Sequence, residues 1–116
     1  MSVEALLKNT LMQFGDPVEN GLYLGREERY YTFNVSTHGI FYADDAPLHD
    51  RYLVQVHLYA PLTFNCVSRR RETQIALMNA GFLWPECVDD SDSNGRHIIF
   101  ETEYAEAVDA DGDNDD

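Results

Sequence analysis

Arg51-Tyr52-Leu53-Val54-Gln55-Val56-His57-Leu58-Tyr59-Ala60-Pro61-Leu62 decides how the rest of the chain is read. In an extended strand successive side chains point to opposite faces, so Tyr52, Val54, Val56 and Leu58 share one face and Leu53, Gln55, His57 and Tyr59 the other. The first set is a core face. The second mixes aliphatic, amide, imidazole and phenol groups, which predicts that something covers it, such as a neighbouring chain.

Moving towards the N-terminus, Leu22 to Leu24 and Arg29 to Ser36 read as strands rich in Tyr, Phe, Thr and Val. Between them and the central strand, His38 to Asp50 turns to Gly39, Ala43, Asp44, Asp45, Ala46 and Pro47, a composition that predicts a long mobile loop. Ser2 to Phe14 places Val3, Leu6, Leu7, Leu11 and Phe14 at spacings of three and four, with Ser2 as N-cap and Gly15 as stop: a short amphipathic helix.

In the other direction, Asn65 or Ser68 caps a second helix that runs to about Ala80, with Gly81 as a left-handed stop and Phe82 as the hydrophobic contact beyond it. Its apolar residues are Val67, Ile75, Leu77 and Met78. Phe82 to Val88 is a strand interrupted by Pro85, which predicts a sheet edge or a bulge. After the polar loop Asp89 to Gly95, His97 to Tyr104 is the last strand, with Ile98, Phe100 and Tyr104 on one face and Ile99, Glu101 and Glu103 on the other. Helix, three strands, helix, two strands is economically solved as an α+β fold of two layers, an antiparallel or mixed sheet of about five strands with both helices on one face.

Charge divides the chain. From Glu101 to Asp116 there are eight acids and no Lys or Arg, out of a net charge of -13. Such a run repels itself and any phosphate backbone, which predicts one globular domain over residues 1–105, a disordered acidic tail over 106–116, and no direct affinity for nucleic acid. At 116 residues and 44% hydrophobic the domain can bury a core, although one this short gains from oligomerisation. No apolar run approaches the ~20 residues that span a bilayer, so no membrane partner is expected. Cys66 and Cys87, without a secretory leader, read as reduced thiols of a cytosolic compartment.

Motifs with chemistry are few. Asp90, Asp92, Asn94, Gly95 and Glu101 fit the spacing of a calcium loop, D-x-D-x-N-G-x5-E. The flanks argue against it, since Pro85 precedes the loop and strand-like Ile98-Ile99-Phe100 occupies its second half; a polar hairpin explains the same letters. Asp109, Asp111, Gly112, Asp113 and Asp115 resemble a second such loop, but no Glu follows to close it. His38, His49, His57 and His97 are scattered, without a nucleophile motif or a phosphate-binding glycine loop, so no catalytic residue, metal or cofactor is expected. His57 is the one expected to be partly buried. Arg69-Arg70-Arg71 is a basic cluster in the first turns of the second helix, where it opposes the helix dipole; it is either a solvated face or a partner for carboxylates of the tail or of a neighbouring subunit.

The ordered combination of the N-terminal helix, Tyr30-Tyr31-Thr32-Phe33-Asn34, Ala43-Asp44-Asp45-Ala46-Pro47, Arg51 to Tyr59 and the helix ending Ala80-Gly81-Phe82 resembles small tail-completion proteins of long-tailed bacteriophages and prophages. The likeness covers residues 1 to 105 and leaves the acidic tail unmatched. The resemblance implies a virion structural protein, also called a tail terminator or tail-to-head joining protein, made in the host cytoplasm. It also implies a homo-oligomeric, hexameric ring that caps the tail tube protein and presents a surface to the head connector protein, while genome DNA passes without specific binding. Subunit or connector contacts would then fall on Leu53, Gln55, His57 and Tyr59, on Asp44 and Asp45 of the long loop, and on Arg69, Arg70 and Arg71. The alternative is an acidic inhibitor or antitoxin-like protein that mimics nucleic acid and occupies a basic site on an enzyme.

Overall fold

The computed structural model describes residues 2–41 and 47–107. Seven elements follow one another: α1 Val3–Met12, β1 Val18–Asn20, β2 Tyr30–Phe41, β3 Pro47–Ala60, α2 Cys66–Asn79, β4 Glu86–Asp89 and β5 Arg96–Ala107. The strands form one sheet in the order β1-β2-β3-β5-β4, with β1 parallel to β2 and the other pairs antiparallel. Both helices pack on the same face, giving the expected two-layer α+β arrangement. Among the described residues no helix is long and apolar enough to cross a membrane.

Alternation along the strands builds the core. Tyr31 and Phe33 of β2, Val54, Val56 and Leu58 of β3, and Ile98 and Phe100 of β5 point to the helices and are buried against Val3, Leu7 and Leu11 of α1 and Leu77 of α2. The three α1 residues recur every fourth position and so form a single stripe. Its start is fixed by Ser2, whose side chain accepts a hydrogen bond from the Ala5 amide, and its end by Gly15 at φ +86°. Asn65 caps α2 by accepting from the Val67 amide. Gly81 at φ +108° then ends α2, with the Gly81 amide donating to Met78 and the Phe82 amide to Leu77, both at 3.0 Å. Those two bonds satisfy carbonyls that the helix leaves open, and they carry Phe82 into the core.

Four expectations are corrected. Leu22 to Leu24 is not a strand; the first strand is Val18–Asn20, because Val18 is buried and the Pro17 carbonyl accepts from the Tyr31 amide, whereas Leu22 and Leu24 meet nothing and lie exposed. The loop expected over His38 to Asp50 is largely strand, since backbone pairing of β2 with β3 continues through Gly39↔Asp50 to Phe41↔Pro47. Asp44 and Asp45 lie outside the described residues. The last strand, expected to end at Tyr104, runs on to Ala107, so Glu106 and Ala107 of the expected tail pair with β3 as far as Ala107↔His49. Residues 108–116 also lie outside the described residues.

The fourth correction concerns α2. Of its four apolar residues only Leu77 is buried; the helix also buries Cys66, Thr73 and Gln74, while Val67, Ile75 and Met78 are exposed. Polar partners explain the roll. The Thr73 hydroxyl donates to the Arg69 carbonyl and lies 2.7 Å from the Tyr31 hydroxyl, and the Gln74 amide donates to the Pro85 carbonyl at 2.9 Å. A buried polar group without a partner costs about 1–3 kcal/mol, so these contacts hold the helix in this orientation. Pro85 lies just before β4, which is a sheet edge as Pro85 suggested. Leu77→Ala should therefore destabilise the folded monomer by about 2–5 kcal/mol, and Ile75→Ala, an equally apolar position, by no more than about 0.5 kcal/mol, both read by urea denaturation.

Candidate functional site

The sheet face turned away from the helices carries the residues expected to make contacts. Leu53, Gln55, His57 and Tyr59 all lie on it, half-buried by their neighbours in the sheet. No described element of the chain packs over this face.

Strand register decides what meets on it. Tyr30 pairs with Tyr59 across β2 and β3, and Tyr59 with His97 across β3 and β5. The rings consequently form a ladder: Tyr23 to Tyr30 at 4.5 Å, Tyr30 to Tyr59 at 4.9 Å, Tyr59 to His97 at 4.3 Å and His97 to His57 at 5.1 Å between centroids. Cross-strand aromatic pairs of this kind contribute roughly 0.2–1 kcal/mol each, so the ladder stiffens the face as well as paving it.

A polar row crosses the ladder. Gln55 donates through Nε2 to Glu101 Oε2 at 3.1 Å, which turns its Oε1 towards His57 Nε2 at 2.9 Å. His57 Nε2 must then be the donor, and in neutral His57 the Nδ1 atom accepts from His97 Nε2, 2.8 Å away. The far nitrogen of His97, Nδ1, is 3.5 Å from Asp90 Oδ2, an ion pair when His97 is charged. Burial, and secondarily the adjacent His97, hold the His57 pKa below its ordinary value. The two histidines lie forty positions apart in the sequence, so their pairing is a product of strand register; the sequence reading had them scattered. His57 is half-buried, as expected.

Arg51 and Glu103 close the upper part of the face with a bidentate pair, Nε to Oε1 at 2.9 Å and Nη2 to Oε2 at 2.7 Å. That hydrogen bonding raises the Arg51 pKa and lowers that of Glu103. Below it, Leu53, Gln55 and Glu101 form one wall of a shallow groove, with exposed Leu83 and Trp84 as the other. Stacked rings, a ready row of donors and acceptors, and an apolar-rimmed groove are the equipment of a docking surface.

The arginine triplet divides. Arg69 is almost enclosed: its Nη1 donates to Asp16 Oδ2 at 2.7 Å while Arg29 Nε donates to Asp16 Oδ1 at 3.0 Å, and its guanidinium lies over the rings of Phe14 and Phe64. Among the described residues the carboxylates it meets are Asp16, 53 positions away, and Glu72 of the same helix at 3.8 Å. Arg70 and Arg71 are exposed, with the Arg71 guanidinium 5.7 Å from the Trp84 ring.

The calcium-loop letters are spent on a hairpin. Asp92 and Gly95 pair across a two-residue turn, the Asp92 carboxylate accepts from the Asn94 amide, and Glu101 stands in mid-strand bonded to Gln55. Among the described residues no group of three or more His, Cys, Asp or Glu is placed to hold a metal ion. Both thiols are free, and burial raises their pKa values. The chain matches no protein-family model and no curated protein.

A depressed imidazole pKa fixes a pH dependence. Because folding holds His57 below its ordinary value of 6.5, the unfolded chain takes up the proton first; this contribution to stability is complete above that pH and is lost as the pH falls below it. Urea denaturation across pH 5 to 8 should show wild-type stability falling faster below about pH 6.5 than that of His57→Gln, the ordinary imidazole value setting the upper limit. Equal slopes would mean that His57 carries no such shift.

Proposed function

We propose that this protein is a tail-completion subunit of a long-tailed bacteriophage or prophage: a virion protein that forms a ring on the tail tube, ends its growth and offers a surface to the head connector. The single observation that carries the reading is the uncovered sheet face, an ordered array of Tyr23, Tyr30, Tyr59, His57, His97 and Gln55 that no described part of the chain covers. Ordered tyrosine and histidine rings with polar edges suit a protein contact. The resemblance of residues 1 to 105 to tail-completion proteins supports the same reading.

Two further features fit it. Beyond Tyr52 and Tyr104, three backbones continue side by side through Asp50, Gly39 and Glu106, a paired extension of the sheet. Such an extension gives a ring subunit reach towards the connector. The net charge of -13 repels phosphate, so duplex DNA threaded through an assembly of these subunits would slide without sticking.

Light scattering of the full chain, alone and with purified tail tubes, tests the reading. The expected result is a particle whose mass is a multiple of 13.3 kDa, formed alone or on the tube end, and unaffected by deletion of residues 106–116. A 13.3 kDa monomer that ignores tubes, and that binds a cationic enzyme one-to-one through residues 106–116, would establish the nucleic-acid mimic instead.

A further inference from the structure

The outward side of α2 is built like an inside. Val67, Arg71, Ile75 and Met78 follow one another at spacings of four, four and three, which places them in one stripe along the helix. Val67 is 69% exposed, and Ile75 and Met78 are exposed with it, while the polar Thr73 and Gln74 are buried. Apolar stripes normally face a core. Trp84, exposed beside Arg71, extends the patch, and Arg70 flanks it. Cations of this helix face are thus set into an apolar surface; Glu86 and Asp89 stand on the neighbouring β4 edge.

The opposite margin of the sheet carries the counterpart. After β1, the segment 21–29 exposes Leu22 and Leu24, the latter 86% exposed, next to the exposed carboxylates of Glu19, Glu27 and Glu28. Arg26 is the opposing cation there, since Arg29 is engaged by Asp16. The exposed guanidiniums of Arg70 and Arg71 stand on one apolar patch, beside Glu72, Glu86 and Asp89, and the exposed carboxylates of Glu27 and Glu28 stand on the other. β1 and β4 are the two outer strands of the sheet, and the α2–Trp84 patch beside β4 and the segment that leaves β1 are separate surfaces of one chain.

We infer that the Val67–Met78 stripe with Arg70, Arg71 and Trp84 of one copy docks on the Leu22–Glu28 segment of the next. This contact is heterologous: it uses two different surfaces, so it repeats from copy to copy and closes into a ring when the rotation allows. It rests on the ring-forming reading and assigns that ring its lateral seam. The uncovered sheet face and the paired extension then stay free for the tube and the connector.

Charge exchange tests the seam. Arg70→Glu with Arg71→Glu alters only exposed side chains, and should weaken self-association of the full chain at least about ten-fold by sedimentation or light scattering, with a folded far-UV spectrum retained. Adding Glu27→Arg and Glu28→Arg to the same chain should restore it. Assembly of the double variant at wild-type strength, or its loss without rescue by the quadruple variant, overturns the seam while leaving the ring reading intact. A wild-type chain that never self-associates, alone or on tubes, overturns both.

Discussion

Polar anchoring of α2 is the constraint on which the rest depends. Arg69 is held by the Asp16 carboxylate between two phenylalanine rings, Thr73 meets the Tyr31 hydroxyl, and Gln74 reaches the Pro85 carbonyl. Each partner sits on a different part of the fold: the α1–β1 connection, β2, and the segment entering β4. Rotating the helix to bury Val67, Ile75 and Met78 would take the nearly enclosed Arg69 guanidinium away from Asp16, which would keep Arg29 alone, and breaking a buried ion pair costs about 3–5 kcal/mol. Hydrophobic burial of three side chains competes with that penalty and with the loss of two buried hydrogen bonds. The helix therefore keeps its apolar residues in water.

The second consequence is one-sidedness. With both helices on one face, β3 and its neighbours must present a second face, and strand register fills it with paired rings and a hydrogen-bonded row from His97 through His57 and Gln55 to Glu101. Stacking and register make that face a fixed template. In the ring proposed above, lateral contact through the sheet margins and axial contact through the sheet face and extension would be separable jobs. The acidity of the chain disfavours adhesion of a phosphate backbone at every exposed carboxylate.

Much of the local structure was legible in the sequence because it is set by neighbours along the chain. Ser2, Gly15, Asn65, Gly81 and Phe82 all do what their positions imply, and the alternation from Tyr52 to Tyr59 assigns both faces of the central strand correctly. What escaped was set by distant pairing. Gly39 and Pro47 look like loop residues, yet backbone hydrogen bonds between β2 and β3 carry both into the hairpin. Leu22 and Leu24 look like strand residues, but the short parallel pairing belongs to Val18–Asn20. The His57–His97 contact needs the β3–β5 register, and the roll of α2 needs Asp16 and Tyr31. An apolar count alone favours the wrong face of that helix.

Trp84 is the only tryptophan in the chain, and it stands exposed at the margin where α2 and β4 meet. Its fluorescence, recorded as the full chain assembles alone or on tail tubes, reports directly on whether that margin becomes covered. The account predicts a blue-shifted emission and reduced quenching by acrylamide in the assembled state. Assembly that leaves both unchanged would contradict it.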